Sequence, residues 1–434
     1  MLGGDPMTTI RNYGRTWSFS PSTVAYPSNL ADLRLLVKRA TRIRPMGSRH
    51  SWSKGIVTGD TVVSLAKMNR ILNVDRDALL VRVQAGATLK ELIAHLDERG
   101  LALENLGSIS EQSLAGAMST ATHGTGIEFR CLASQVESLK LIDGEGNERE
   151  LRRTDAAFNA VITGLGCFGI IHEMTLRVVP SFQMRTVTGS ARFDDVIGDL
   201  DAYVRGSDHF KLWWFVPDER VILFRNTRTT APPNDSDLTR WFNDELVAVI
   251  VYRALVSLQG IHRKALVPRM NRFLVSTAGR HQDRICKSYL GFLTPVPPVH
   301  RETEWAFDYA GAKELLREYR DLLVKSGHTY NFVQEIRFTK GDDFWLSPAY
   351  GRDSVWLSMY NMDKGASWDA QLREFETFAR ARGGRPHWGK EASVDAAYVA
   401  KQWPKLGAFR ELAKAYDPPG KFVNEWILQL LWTP

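Results

Sequence analysis

Residues 164–180 read GLGCFGIIHEMTLRVVP, and the fold turns on how that stretch is taken. Its first six residues satisfy G-x-G-x-x-G, the pattern that lets a backbone approach the pyrophosphate of a nicotinamide dinucleotide. That fold needs a strand before the glycines and a helix after them, so that the phosphates meet the helix N-terminus. Here the order is reversed. Ile171, Glu173, Thr175 and Arg177 alternate with His172, Met174, Leu176 and Val178 up to Pro180, which is the two-residue period of a strand. The motif therefore does not support a nicotinamide dehydrogenase.

Upstream of this stretch the chain reads as a mixed α/β unit. Ser28 is placed to cap a helix through LADLRLLVKRA. Thr88 opens TLKELIAHLDERG, with Glu91 completing a capping box, Leu89, Leu92, Ile93 and Leu96 on one face, and Gly100 as the stop. TRIRPMG, TVVSL and ALLVRVQAG lie between these helices as strands. After Pro180 the character changes: residues 181–385 hold most of the tryptophans and strands such as KLWWFV, NFVQEIRF and SVWLSMY. They read as an antiparallel sheet backed by helices. The last 50 residues are again punctuated by Gly and Pro.

Composition narrows the function classes. At 434 residues, with 44% apolar and 24% charged residues, the chain is globular and long enough for two domains. Its formal net charge is +7, but the basic residues are scattered rather than gathered into a nucleic-acid footprint. Three cysteines, Cys131, Cys167 and Cys286, are too few for a disulfide framework and lack metal-ligand spacing. A reducing cytoplasm and no bound metal are the expectation. The N-terminus lacks the basic start and apolar run of a signal peptide. The most apolar stretch, LVAVIVYRALVSLQ (246–259), is broken by Arg253 and too short to span a bilayer, so membrane association is not expected.

Three loops rich in Gly, Ser and Thr stand out: PMGSRHS (45–51), LGSISEQSLAGAMSTATHGTG (106–126) and GLGCFGIIHE (164–173). Each offers small residues, hydroxyls and free backbone N–H groups, which suit a pyrophosphate where no P-loop lysine exists. Any one alone is equally a turn cluster. Together, in one α/β unit, they point to a large dinucleotide lying across it.

With NYGRTWSFSPSTVAYPSN, G-S-R-H-S, ATHGTG, GCFGIIHEMTLRVVP, PHWGK and DPPGKFVNEWIL, the chain resembles the aldonolactone oxidoreductases of the vanillyl-alcohol-oxidase flavoprotein superfamily, with alditol oxidase nearby. The resemblance covers nearly the whole chain. It implies an α+β, two-lobed fold: an FAD-binding α/β domain over residues 1–180, a cap domain with an antiparallel sheet and helices over 181–385, and a C-terminal segment, 386–434, that returns to the FAD domain. By the resemblance, FAD contacts come from Pro45, Met46, Gly47, Ser48, Arg49, His50, Ser51, Ser108, Ser113, Gly116, Thr120, Ala121, Thr122, His123 and Ile171. His50 is the position that many members join covalently to the flavin 8α-methyl, and an imidazole nitrogen is nucleophilic near neutral pH. Relatives often carry glycine where this chain has Arg49.

The resemblance also places a Glu-x-Arg pair of the cap sheet at the flavin. Here it is Glu335 and Arg337, two apart and so on one face of a strand. Lys390 of PHWGK joins them, and Ser108 is expected beside the ring. Arg337 and Lys390 are read as the cations that hold substrate oxygens and stabilise negative charge on the reduced flavin. Glu335 is read as hydrogen-bonding the reacting hydroxyl or orienting Arg337. By the resemblance, a small residue at the position of Gly107 leaves room for O2, which favours an oxidase that makes hydrogen peroxide over a dehydrogenase with another acceptor. Ser358, where alditol oxidases carry histidine, tilts the substrate from an open-chain polyol toward a sugar lactone such as L-gulono-1,4-lactone.

Overall fold

The capping box at Thr88 forms as its sequence predicts. In the computed structural model, which describes residues 8–234, 266–294, 298–362 and 366–433, Thr88 Oγ1 accepts from Glu91 N at 3.1 Å and the Glu91 carboxylate accepts from Thr88 N at 2.7 Å. The helix Leu89–Asp97 then buries Leu89, Leu92, Ile93 and Leu96. The earlier helix runs over Leu30–Arg39, but its cap is Asn29 rather than Ser28: Asn29 Oδ1 accepts from Asp32 N at 2.9 Å. Helical dihedrals begin at Leu30, which leaves Asn29 as the last extended residue and so the one whose side chain faces the free N–H groups. The apolar stretch 246–259 lies outside the described residues. Among those described, no helix is long and apolar enough to cross a membrane.

Two sheets of three and five strands, with two short two-stranded ones, build the N-terminal half. Thr23–Ala25, Thr61–Ser64 and Ile43–Met46 form a parallel three-stranded sheet in that spatial order. Glu148–Arg152, Val136–Ile142, Ile170–Arg177, Leu80–Gln84 and Ile71–Asp75 form an antiparallel five-stranded one. GLGCFG thus leads into the central strand of that sheet. Its carbonyls are used inside the protein: the buried Arg44 guanidinium donates to Leu165 O at 2.7 Å, to Gly166 O at 3.3 Å and to Phe422 O. One side chain therefore ties the strand Ile43–Met46, the glycine loop and the C-terminal segment together. Trp403, Leu406, Phe409, Ile427 and Leu431 of that segment enter the core around the five-stranded sheet.

The rest of the chain builds one eight-stranded antiparallel sheet. Four of its strands matter here: β1 (His209–Trp214), β2 (Arg301–Asp308), β3 (Gln334–Thr339) and β4 (Ser354–Asn361). Their spatial order is β1-β3-β4-β2. Strand alternation sorts their side chains onto two faces. Leu212, Trp214, Ile336, Phe338, Leu357, Met359, Trp305 and Phe307 pack in one core with Leu316 and Tyr319 of the helix Ala312–Lys325 and with Phe375. The opposite face carries most of the charged groups these strands possess, among them Lys211, Glu302, Glu304, Glu335 and Arg337.

Candidate active site

Register assembles that polar face. Trp213 lies opposite Glu335, Glu335 opposite Ser358, and Ser358 opposite Glu304, so one row crosses all four strands. The flanking rows bring Lys211 beside Arg337 and Trp356, and Glu302 beside Tyr360. Directly paired residues point to the same side, so three carboxylates and two cations share one buried surface.

Glu335 is at its centre and has no acceptor capacity to spare. It accepts from Lys211 Nζ at 3.0 Å, Trp213 Nε1 at 2.8 Å, Tyr360 Oη at 3.1 Å and the Arg337 guanidinium. Burial alone would raise this carboxyl, but Arg337 and then Lys211 hold it far below the usual carboxylate range. In return Glu335 outweighs the burial penalty on Arg337 and keeps it firmly charged. Arg337 then reaches across to Ser108, donating to its Oγ at 2.8 Å. A carboxylate so engaged orients its neighbour and is not free to take a proton.

The other two carboxylates face histidines. Glu304 accepts from Ser358 Oγ at 2.8 Å and lies 3.4 Å from His123 Nε2 and 4.0 Å from Arg337. Glu302 Oε1 lies 2.5 Å from Lys390 Nζ, and its Oε2 lies 3.5 Å from His300 Nε2. His387 sits beside Glu304, and burial pushes it down to about 3, so it is neutral. Among the described residues, His123, Glu304 and His387 are a cluster whose ligand atoms come within 4.8 Å of one another, close enough for a metal. Their surroundings oppose a dication: Arg337 is already there, and Gly389 N donates to His387 Nδ1 at 2.9 Å.

The first glycine loop meets this face through its own braces. Tyr13 N donates to Arg49 O at 2.9 Å, Asn12 Nδ2 to Ser51 O at 3.1 Å, and Trp17 Nε1 to Trp52 O at 2.9 Å. The Tyr13 ring stacks on His50 with centroids 5.1 Å apart. Trp52 N donates to Gly389 O at 2.7 Å, which seats PHWGK against the loop, and Lys390 Nζ lies 4.7 Å from the Trp52 ring. Burial lowers the His50 imidazole, with Lys390 and Arg49 adding to the effect against Glu111, so the ring favours its neutral form. Gly47 has no room for a side chain: a Cβ there would lie 2.2 Å from Ser113 Oγ.

The sequence-derived residues fall into two groups. Ser108, Glu335 and Arg337 form one connected set. Lys390 stands at the same face, through Glu302 rather than Glu335. Ser358 is fully buried with its hydroxyl given to Glu304. Thr120 donates back to Gly116 O at 3.0 Å, Ala121 has a left-handed φ of +55°, Thr122 is buried, and Ile171 packs in the core of the five-stranded sheet. His123 donates from Nδ1 to Gly124 O at 2.9 Å and turns its other nitrogen to Glu304. Sequence reading missed Lys211, Trp213, Tyr360, Glu302, Glu304, His300 and His387. A signal existed in HRETEWAF, where His300, Glu302 and Glu304 alternate along a strand that is otherwise core.

With this geometry in view, comparison with known proteins is informative. A family model described as D-arabinono-1,4-lactone oxidase matches residues 174–430, and one described as an FAD binding domain matches residues 21–152. The chain is 30% identical to L-gulonolactone oxidase of Bos taurus over 444 residues, covering 100% of both. It is 30% identical to L-gulono-1,4-lactone dehydrogenase of Mycobacterium tuberculosis over 421 residues, covering 95% of this chain and 96% of that protein. Among solved structures, cholesterol oxidase from Brevibacterium sterolicum superposes with a TM-score of 0.84 at 16% identity, covering 98% of this chain and 97% of that one, a likeness of fold.

The residues present fit FAD. Ser113 Oγ is buried without a hydrogen-bond partner among the described residues, and it faces Gly47 and Gly116, at both of which a side chain would crowd it. That is a polar cradle shaped by missing side chains. Arg49 occupies the one strained backbone position of the His50 loop, with φ +63°, a conformation that glycine adopts freely and other residues at a cost of about 1–2 kcal/mol. Arg49→Gly is therefore expected to raise the stability of the flavin-free protein by about 0.5 kcal/mol or more, net of the entropy glycine adds to the unfolded chain. Urea unfolding measures it. A lowered midpoint would mean that the Arg49 side chain makes an interaction worth more than its backbone strain.

Proposed function

Because the chain belongs to the D-arabinono-1,4-lactone oxidase family, we propose that it oxidises a hydroxyl of a sugar lactone of the L-gulono-1,4-lactone type, with FAD as hydride acceptor and O2 as the final oxidant, giving hydrogen peroxide. The observation that carries this reading is Arg337: clamped by Glu335 on the cap sheet, it reaches Ser108 on the second glycine loop, so a permanent cation stands where the two halves meet. In this reading residues 1–180 hold FAD, 181–385 form the cap and 386–434 complete the site with Lys390. Pro45 to Ser51, Ser108, Ser113, Gly116, Thr120 to His123 and Ile171 flank the cofactor. Bound there, FAD supplies a two-electron acceptor for the hydride of the alcohol carbon. Arg337 and Lys390 bind the substrate oxygens and favour the negative charge that develops. Glu335 holds Arg337 in place. The three cysteines are buried and none forms a disulfide among the described residues, which suits the reducing cytoplasm in which we place the enzyme.

A peroxide-coupled screen of sugar lactones and alditols tests the substrate class. Turnover of an aldonolactone above any alditol is expected; an alditol preferred over every lactone would move the protein to polyol oxidation.

His50 is proposed to carry the flavin covalently, supported by its neutral ring, the stacked Tyr13 and the braced loop. The protein should be yellow after acid precipitation, whereas His50→Ala should release its FAD into the supernatant. Free FAD from the wild type would leave the fold intact and remove the bond.

Gly107 is proposed to keep a path open for O2. An added Cβ would meet His123 O at 3.4 Å and Thr122 Cγ2 at 3.5 Å, ordinary contacts, so alanine fits there without displacing the loop. Gly107→Ala should slow reoxidation of the reduced enzyme by O2 about tenfold, roughly 1.4 kcal/mol in barrier, while anaerobic reduction by substrate changes little. Stopped-flow mixing with aerated buffer decides: a variant reoxidised as fast as wild type, or a wild type inert to O2, would make the protein a dehydrogenase.

A further inference from the structure

Oxidising an alcohol releases a proton as well as a hydride, and the carboxylate of the Glu-x-Arg pair cannot take it. Glu335 is filled by its donors. Lys390 cannot take the proton alone either, because its Nζ lies 2.5 Å from the Glu302 carboxylate and is held as an ammonium by it. An ammonium accepts a proton only if it gives one up at the same time.

Behind Lys390 the structure holds a place for that proton. The Lys390 side chain is 20% exposed, that of Glu302 2% and that of His300 1%, so the three run inward from the accessible end of Lys390. Glu302 Oε1 is the oxygen that Lys390 Nζ approaches to 2.5 Å, and no other described residue donates to it. His300 Nδ1 lies 2.7 Å from Pro298 O, a carbonyl that can only accept, so Nδ1 carries the ring proton. In the neutral ring Nε2 is then a lone pair, and it points at Glu302 Oε2 from 3.5 Å. With that ring neutral, two acceptors face each other across 3.5 Å and the pair has room for one proton. The ring is held there: Trp52 Nε1 donates to His300 O at 3.0 Å, and the Trp52, Phe332 and Tyr360 rings lie 5.1, 5.4 and 5.4 Å from it.

We propose that the Glu302–His300 pair is the proton acceptor of the reaction, reached through Lys390. Resting on the function proposed above, the step balances as follows. The substrate O–H bond breaks and an N–H bond forms at Lys390 Nζ. One existing Lys390 N–H bond breaks as an O–H bond forms at Glu302. The electron pair of the carbon–hydrogen bond leaves with the hydride to the flavin. Lys390 ends as the ammonium it began as, and the Glu302 carboxyl turns its proton to His300 Nε2. What holds Glu302 ionised against its burial is first of all the Lys390 charge; a proton leaving Lys390 lifts that restraint as it arrives. The charged and titratable groups facing the pair, among the described residues, are Lys390, Glu304, Tyr360 and His387, from β2, β4 and the PHWGK loop, with the Tyr13 ring 6.2 Å from His300. The neighbouring His123–Glu304 pair has a similar form, but its carboxylate is already committed to Ser358. Glu302 acts on the substrate through Lys390 and is a positioning and proton-holding residue.

Anaerobic stopped-flow reduction of the flavin-loaded enzyme by L-gulono-1,4-lactone tests this. Glu302→Gln keeps the size of the side chain and its carbonyl toward Lys390 but cannot take a proton. Its limiting reduction rate should fall about 100-fold, with the substrate dissociation constant changed less than about threefold. The wild-type rate should fall on acidification, as the pair becomes protonated beforehand, and the variant should lack that limb. Glu302→Asp should recover part of the rate. A Glu302→Gln enzyme reduced as fast as wild type, or impaired in substrate binding alone, overturns the proposal. Should Glu302→Gln fail to fold with its flavin, His300→Asn decides: it leaves the Lys390–Glu302 ion pair intact, and an unchanged rate and pH profile would overturn the proposal equally. A wild type reduced by no lactone or alditol would remove the functional reading and this proposal with it.

Discussion

The Glu335 carboxylate, and the four side chains that donate to it, is the interaction on which the rest of the site depends. An ionised carboxylate in a protein interior costs several kcal/mol unless its lone pairs are filled. Here they are filled by Lys211, Trp213, Tyr360 and Arg337, drawn from three strands of one sheet. Removing the carboxylate would leave two buried cations facing each other. Keeping it makes Arg337 a permanently charged, rigid donor whose free end reaches Ser108. The eight-stranded sheet and the second glycine loop are joined through this guanidinium.

The sheet can carry such a load because its two faces do different things. Toward the helices it presents mainly apolar residues such as Trp214, Ile336, Leu357 and Trp305, with Gln334 bonded to Tyr319 among them. That packing fixes the register, and a slip of one residue would exchange the core for the charges. Three carboxylates, Glu302, Glu304 and Glu335, are met by Lys211, Arg337 and Lys390 and by histidines whose Nδ1 atoms are tied to backbone. Acid and base are near balance, yet the groups are not equivalent. Glu335 is saturated, Glu304 is half used by Ser358, and Glu302 meets Lys390 through one oxygen and His300 through the other.

Much of this was legible in the chain. The capping box at Thr88, the strand after GLGCFG and the small-residue loops follow from local chemistry: a hydroxyl three residues before a carboxylate, a two-residue period, glycine where no Cβ fits. Motifs in the glycine loops and in PHWGK pointed to a flavin site, and Glu335, Arg337, Ser108 and Lys390 meet at one face. The cap at Asn29 rather than Ser28 shows the grain of such reading: residue type predicts a cap, while the backbone decides which of two neighbours serves.

What the sequence determined by itself was thus the elements, their apolar faces and the chemical types gathered for the site. What only the tertiary structure decided was who partners whom. Lys211 lies 124 residues from Glu335, and Arg337 lies 229 from Ser108; no local pattern links them. Glu302 and Glu304 read as an unremarkable pair on a strand until β4 and the PHWGK loop give one to Lys390 and the other to Ser358. The physical reason is that the ionisation and role of a buried group are set by the dipoles and charges within a few ångströms of it. Those neighbours arrive from distant parts of the chain only when the strands pair.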